Sequence, residues 1–157
     1  MQNRMKTHQL TSEQIEALLK RSQVATLATL NDDGTPYCVP IHFVWLDGAV
    51  CFHGLPVGQK VGNLKARPDV CFNTYEMKGL LFDPEERPCD TNTAYESVVI
   101  RGKARMLENP EEKLRVLEAV IAKYTPQLVG RPIPKAMLNG TGVVRLEAEE
   151  ITGKYWE

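Results

Sequence analysis

The chain opens with a stripe of apolar residues at helical spacing and then changes to apolar runs that alternate every second position. Ile15, Leu18 and Leu19 form the stripe, and Thr11 followed three residues later by Gln14 makes a capping box, so the pattern predicts a helix over residues 12–21. Residues 24–30 form a β-rich run that Asn31-Asp32-Asp33-Gly34 ends in a turn. Across residues 37–46, Val39, Ile41, Phe43 and Trp45 share one face, while Cys38, Pro40, His42 and Val44 share the other, as in one continuous strand. Asp47-Gly48 closes a second hairpin into residues 49–53, and three strands so joined predict an antiparallel meander.

After Gly54 the period changes. Val57, Val61 and Leu64 fit a short helix stopped by Arg67-Pro68. Residues 69–75 read as a fourth strand, and residues 76–92, polar and holding two prolines, as a mobile loop. A long strand follows over residues 95–106, with Ser97, Val99 and Arg101 alternating against Val98, Ile100 and Gly102. Asn109, Pro110 and Glu111-Glu112 announce a helix, with Leu114, Leu117, Ile121 and Tyr124 as its core stripe and Glu118 and Lys123 off it. Three prolines break residues 125–139, leaving room for one helical turn near residues 135–138. Residues 142–151 form the last strand, with Val144, Leu146 and Ala148 on one face. Six strands with peripheral helices predict a mainly β fold, an antiparallel barrel or curled sheet, and residues 1–157 read as one domain with no internal repeat.

A chain of 157 residues buries a sufficient core without disulfides or metal. Its net charge of −1, with Lys and Arg scattered among acids, argues against a nucleic-acid or anionic-membrane partner. Cys38, Cys51, Cys71 and Cys89 form no C-x-x-C pair, and the first three lie in apolar strand-like runs. Residues 1–6 lead into polar sequence, as expected without a secretory signal, and no apolar run approaches the roughly 20 residues a bilayer span needs. The expected location is the cytoplasm.

Candidate chemistry concentrates between Phe52 and Val61. A strand ends, a glycine-containing turn follows and a helix begins, which places unpaired N–H groups and a positive dipole end where a phosphate fits. Gly58 permits close backbone approach, Gln59 offers an amide and Lys60 a charge. Pro40 in mid-strand removes a ladder donor and belongs at an edge, a bulge or a ligand-lined position. Cys51 with His53, joined by Cys38 and His42, is the one zinc alternative, though no paired knuckles accompany it and no metal is expected.

The run from Thr26 to Tyr37, then Val39-Pro40-Ile41, then Phe52-His53-Gly54 with Lys60, resembles the pyridoxamine-phosphate-oxidase-like flavoprotein superfamily, most of all its nitroimidazole-resistance branch. The stretch from Tyr95 to Ala104 and the ending Glu150-Ile151-Thr152-Gly153-Lys154 agree with it. The resemblance implies a six-stranded antiparallel split β-barrel, a homodimer with FMN at the subunit interface and a small-molecule substrate. Val39, Pro40, Ile41 and His42 would line the flavin ring, and His53, Gly54, Gly58, Gln59 and Lys60 would hold the ribityl chain and phosphate. His53 would contact flavin or substrate as the catalytic residue, and Tyr95 or Trp156 would cap the flavin of the partner. The implied activity is FMN-dependent reduction of nitro-aromatic-like, electron-poor compounds; a non-catalytic flavin- or haem-binding sensor or store is the alternative. Where the oxidase has Ser-Arg before its lysine this chain has Gly58-Gln59, and the oxidase's substrate residues have no counterpart, so the resemblance does not extend to vitamin B6 oxidation.

Overall fold

In the computed structural model, which describes residues 6–157, Thr11 caps helix α1 (Ser12–Arg21) as its sequence requires. Its hydroxyl accepts from the Gln14 N–H at 3.3 Å and its own N–H donates to the Gln14 side chain at 2.8 Å. The expectation of no secretory leader falls on residues 1–6, and residues 1–5 lie outside the described part. Strands β1 (Ala25–Leu30), β2 (Pro36–Ile41), β3 (Val44–Leu46), β4 (Ala49–Gly54), β5 (Asp69–Leu81), β6 (Asn92–Met106) and β7 (Gly142–Trp156) form one antiparallel sheet in the order β2-β1-β5-β6-β7-β4-β3. Helices α2 (Gln59–Ala66), α3 (Pro110–Tyr124) and α4 (Lys135–Gly140) lie around it. The fold is the mainly β split barrel expected, with seven strands in place of six.

The extra strand comes from a break at His42-Phe43. The first part of the expected strand pairs with β1 and the second with β4, so two residues carry the chain from one end of the sheet order to the other. The expected three-stranded meander is thereby split into two hairpins, β1–β2 and β3–β4, at opposite ends of the sheet order. Phe43 leaves the ladder because Tyr124 takes its main-chain groups: the Phe43 N–H donates to the Tyr124 hydroxyl at 2.9 Å, and that hydroxyl lies 2.8 Å from the Phe43 carbonyl. The alternation survives the break. Val39, Ile41, Phe43 and Trp45 all pack on the main core, and His42 stays exposed.

That core fills the barrel with Leu27, Phe43, Phe52, Phe72, Val98, Ile100 and Leu146, and Leu18 and Leu19 of α1 pack into it. Burial of each phenylalanine contributes about 1.5–3 kcal/mol. A second cluster, Val44, Cys51, Leu107, Val116, Leu117 and Val143, lies under α3. Val116 joins that face although the expected stripe omits it, and Lys123 turns inward, its ammonium 4.1 Å from the centre of the Phe43 ring.

Several boundaries move. β5 continues through Leu81 into the expected loop, paired to Asn92 across a register shift at Met77/Gly79, which leaves residues 82–91 as the connection. β7 runs on to Trp156 along β6, and α2 starts at Gln59 rather than near Val57. Among the described residues no helix is long and apolar enough to cross a membrane.

Candidate functional site

β4 stays paired with β7 to its last residue, His53 opposite Val143 and Gly54 opposite Gly142. The chain then turns across Gly142, where a Cβ would lie 3.0 Å from the Leu55 oxygen and the Pro56 Cα, so glycine permits the close crossing. Leu55 and Val57 are exposed at 77% and 71%. Gly58 ends the turn with φ +123° and ψ 173°, a conformation that residues with a Cβ avoid, and serves as N-cap of α2. The first intrahelical bond runs from Gly62 N–H to the Gly58 oxygen at 2.9 Å, so the N–H groups ahead of it point out of the helix end without helical partners.

The turn after β1 holds α2 in place. Asn63, only 6% exposed, donates to the Thr29 hydroxyl at 3.0 Å and to Asn31 Oδ1 at 2.9 Å. Gln59 donates to the same Asn31 oxygen at 3.0 Å, and Arg67 donates to the Asp32 carbonyl at 3.0 Å. One of the two amide hydrogens that the sequence reading offers to a phosphate at Gln59 is thus used within the protein.

Lys60, in the first turn, is half-buried with its ammonium 5.0 Å from the centre of the Phe52 ring. Among the described residues no carboxylate pairs with it, and burial lowers its pKa from the usual lysine value. His53 stands nearby at the strand end. Burial, then the positive influence of His42 and of Lys60, lower its pKa from the usual 6.5, which favours the neutral imidazole at pH 7. His42 stacks on Tyr124 with ring centres 4.8 Å apart and planes at 24°. Histidines 42 and 53 and Lys60 therefore share one electrostatic neighbourhood, with Lys60 a cation that no carboxylate among the described residues neutralises.

The segment from Val39 to His42 presents two faces. Val39 and Ile41 turn into the core, while Pro40 and His42 are exposed. Pro40 lies opposite Thr26 on β2, a strand at the end of the sheet order, where a missing N–H costs least. Tyr95 and Trp156 come together elsewhere, directly opposite each other in the β6–β7 ladder. Tyr95 lies 5.7 Å from the Tyr75 ring and Trp156 lies 4.6 Å from the His8 ring. Gly142 beside Gly54 begins β7 and Trp156 ends it, and the strand is 15 residues long from one limit to the other. At roughly 3.3 Å per residue that is on the order of 45 Å along the strand. One chain does not bring Tyr95 and Trp156 to Lys60.

Among the described residues no three His, Cys, Asp or Glu side chains gather as a metal site; Cys38 is exposed and Cys51 buried, its thiol pushed up to about 11 by burial. Sequence reading missed Asn63 and Asn31, the polar pair that fixes the start of α2. The available signal was an asparagine among the apolar positions of a short helix.

Solved structures share this architecture. A candidate 5-nitroimidazole antibiotic resistance protein from Bacteroides thetaiotaomicron superposes with a TM-score of 0.80 at 22% identity, over 94% of this chain and 86% of that one. Flavocytochrome Anf3 from Azotobacter vinelandii gives 0.81 at 21% identity, over 94% and 68%. An FAD and heme binding protein from Mycobacterium smegmatis gives 0.86 at 19% identity, over 96% and 74%. At these identities the likeness is one of fold. No curated protein matches the sequence. A family model described as pyridoxamine 5'-phosphate oxidase matches residues 11–155, nearly the whole chain, and the protein belongs to that family.

Proposed function

We propose that the protein binds FMN and acts as an oxidoreductase on small, electron-poor molecules of the nitro-aromatic kind. The observation that carries this reading is Lys60, an unneutralised cation in the first turn of α2. The outward N–H groups behind Gly58 supply donors beside it, so a phosphate monoester would meet both charge and hydrogen bonds there. Gly54 and the turn to Gly58 would follow the ribityl chain. The main chain of residues 39–42, with Pro40 and His42 facing out, would border the ring. His53, neutral at pH 7, would hydrogen-bond a ring or substrate oxygen without changing charge. The electron transfer itself would be the chemistry of the bound flavin, with the protein supplying position and electrostatics.

The separation of Tyr95 and Trp156 from Lys60 supports a homodimer, in which the aromatic pair of one copy would cover the flavin held by Lys60 of the other. The family match and the name of the Bacteroides neighbour support the flavin and nitro-compound parts of the reading. A second reading, a flavin or haem store or sensor without turnover, draws on the flavocytochrome and FAD–heme names of the other two neighbours.

Titration of the purified protein with FMN, followed by visible absorbance and flavin fluorescence, tests the proposal. Saturable one-to-one binding per chain is expected, and absence of FMN affinity would overturn it. Reduction of a nitro-aromatic compound by the FMN-loaded protein fed with reduced nicotinamide would favour the enzyme over the store.

A further inference from the structure

The ribbon made by the outer half of β5 and the start of β6 carries charges on one face and apolar residues on the other. Glu76, Lys78 and Glu96 form the charged face, and α1 braces it: Arg21 donates to Glu76 at 2.7 Å and pairs with Glu96, which Lys78 also meets. Tyr75, Met77 and Tyr95 form the opposite face, since side chains alternate along a strand and Met77 stands directly opposite Tyr95. Tyr75 and Met77 are exposed there. Beyond the register shift Leu80 and Leu81 are exposed too, and Phe82 at the tip is 75% exposed.

The tip itself is folded. Asp83 accepts from the Glu85 and Arg87 N–H groups at 3.0 and 3.2 Å and from the Arg87 guanidinium at 3.0 and 2.9 Å. An arm organised in this way loses little freedom when its apolar side is covered. Left bare, a contiguous apolar patch of this kind marks a contact surface.

Charge and position indicate what covers it. Residues 82–91 hold Asp83, Glu85, Glu86 and Asp90 against Arg87 alone, which disfavours an anionic membrane or a nucleic acid. The complementary surface lies on the same chain. Residues 54–68 hold Lys60, Lys65 and Arg67 and no acid, and residues 125–141 hold Arg131 and Lys135 and no acid. Leu55, Val57 and Met137 are the exposed apolar residues of that region. Its two segments meet where Leu55 and Pro56 cross Gly142, beside Thr141, whose hydroxyl donates to the Met137 carbonyl at 2.7 Å. One chain does not join the two surfaces, because Gly54 stands at the start of β7 while Tyr95, at the root of the arm, stands opposite its end. A second copy turned about a two-fold axis joins both pairs at once.

We propose that the β5–β6 arm docks on a second copy of this chain, Phe82 and its apolar neighbours against the Leu55–Val57 turn and the acidic tip against Lys65 and Lys135. The proposal rests on the homodimer inferred above but not on the flavin, and it sets the arm of one copy beside the candidate site of the other.

Sedimentation of the full chain without FMN, joined to cross-linking of mixed 14N- and 15N-labelled chains, tests this. Cys89 lies exposed in the tip, so a short thiol–amine reagent reports which lysines it approaches. A dimer is expected, with Cys89 of one isotope linked to Lys60, Lys65 or Lys135 of the other. Phe82→Asp should weaken the dimer roughly tenfold or more without unfolding the chain, since that ring is not in the core. Glu86→Lys should weaken it several-fold at low salt and little at high salt. A monomer, Cys89 links confined to one isotope or to lysines elsewhere, or unchanged dimer affinity in Phe82→Asp would each overturn the proposal. FMN binding by a chain that fails these tests would leave the flavin reading standing, and an arm-dependent dimer without FMN affinity would overturn that reading and support this one.

Discussion

The Tyr124 hydroxyl satisfies both main-chain groups of Phe43, accepting from its N–H at 2.9 Å and lying 2.8 Å from its carbonyl. The same hydroxyl is 2.7 Å from the Gln23 carbonyl, so its one proton is shared between two acceptors. The side chain at the end of α3 thus stands in for part of the ladder that the strand loses where it changes edges. Tyr124→Phe keeps the ring stacked on His42 but leaves the Phe43 N–H without its acceptor. It should cost about 1–3 kcal/mol in urea unfolding and speed hydrogen exchange at the Phe43 amide. An unchanged midpoint with unchanged exchange would show that the break holds itself.

Lys123 supports the same turn with a different chemistry. Its ammonium donates to the Phe43 carbonyl at 3.0 Å and to the Leu19 carbonyl at 3.4 Å, and burial lowers its pKa from 10.5 to about 8. Between those values the unfolded chain holds more protons than the folded one, so stability contributed at this position rises with pH across that window. The stability of the wild type relative to Lys123→Met should therefore increase from about pH 7.5 to about pH 10. A flat difference would place the Lys123 pKa near that of a solvated lysine.

Gly102 sits at the bulge where β6 and β7 slip register, and a Cβ there would lie 2.0 Å from the Glu147 carbonyl oxygen. Backbone, not a flexible side chain, stands in the way. Gly102→Ala should destabilise by about 3 kcal/mol or more, at the upper end of overpacking costs. A shift below about 1 kcal/mol in chemical denaturation would mean that the two strands can part at the bulge.

Lys60→Ala should leave the unfolding midpoint nearly unchanged, because the ammonium has no carboxylate partner among the described residues. FMN affinity should fall roughly 10- to 100-fold, as for the loss of one charge-assisted contact. Gly58→Ala should weaken FMN and also destabilise the protein by about 1–3 kcal/mol, since its φ of +123° strains any Cβ. Equal FMN binding by the wild type and Lys60→Ala would remove Lys60 from the site.

Elements whose signals are local were legible. The capping box of α1 and the Asn109-Pro110 start of α3 appear where their residues require. The break after Ile41 was not, because residues 37–46 alternate without fault and the cause, Tyr124, lies 81 positions away. The outer half of β5 hid for another reason: Tyr75, Met77, Leu80 and Leu81 are exposed, so no burial pattern distinguishes that arm from a loop. At the candidate site, the turn and the lysine were readable from spacing. The polar anchor of α2 was not, since Asn63 acquires its meaning only when Thr29 and Asn31 come beside it.

Pro36 and Pro40 have a consequence beyond any cofactor. Both lie on β2, four residues apart and so on the same parity, and Pro40 keeps its place opposite Thr26 without an N–H to give. The positions that turn their nitrogens away from β1 are then Pro36, Cys38 and Pro40, and two of the three have nothing to donate. A foreign strand laid along this margin would find acceptors with few donors between them. The sequence of β2 thereby discourages the edge-to-edge polymerisation to which an open sheet is prone.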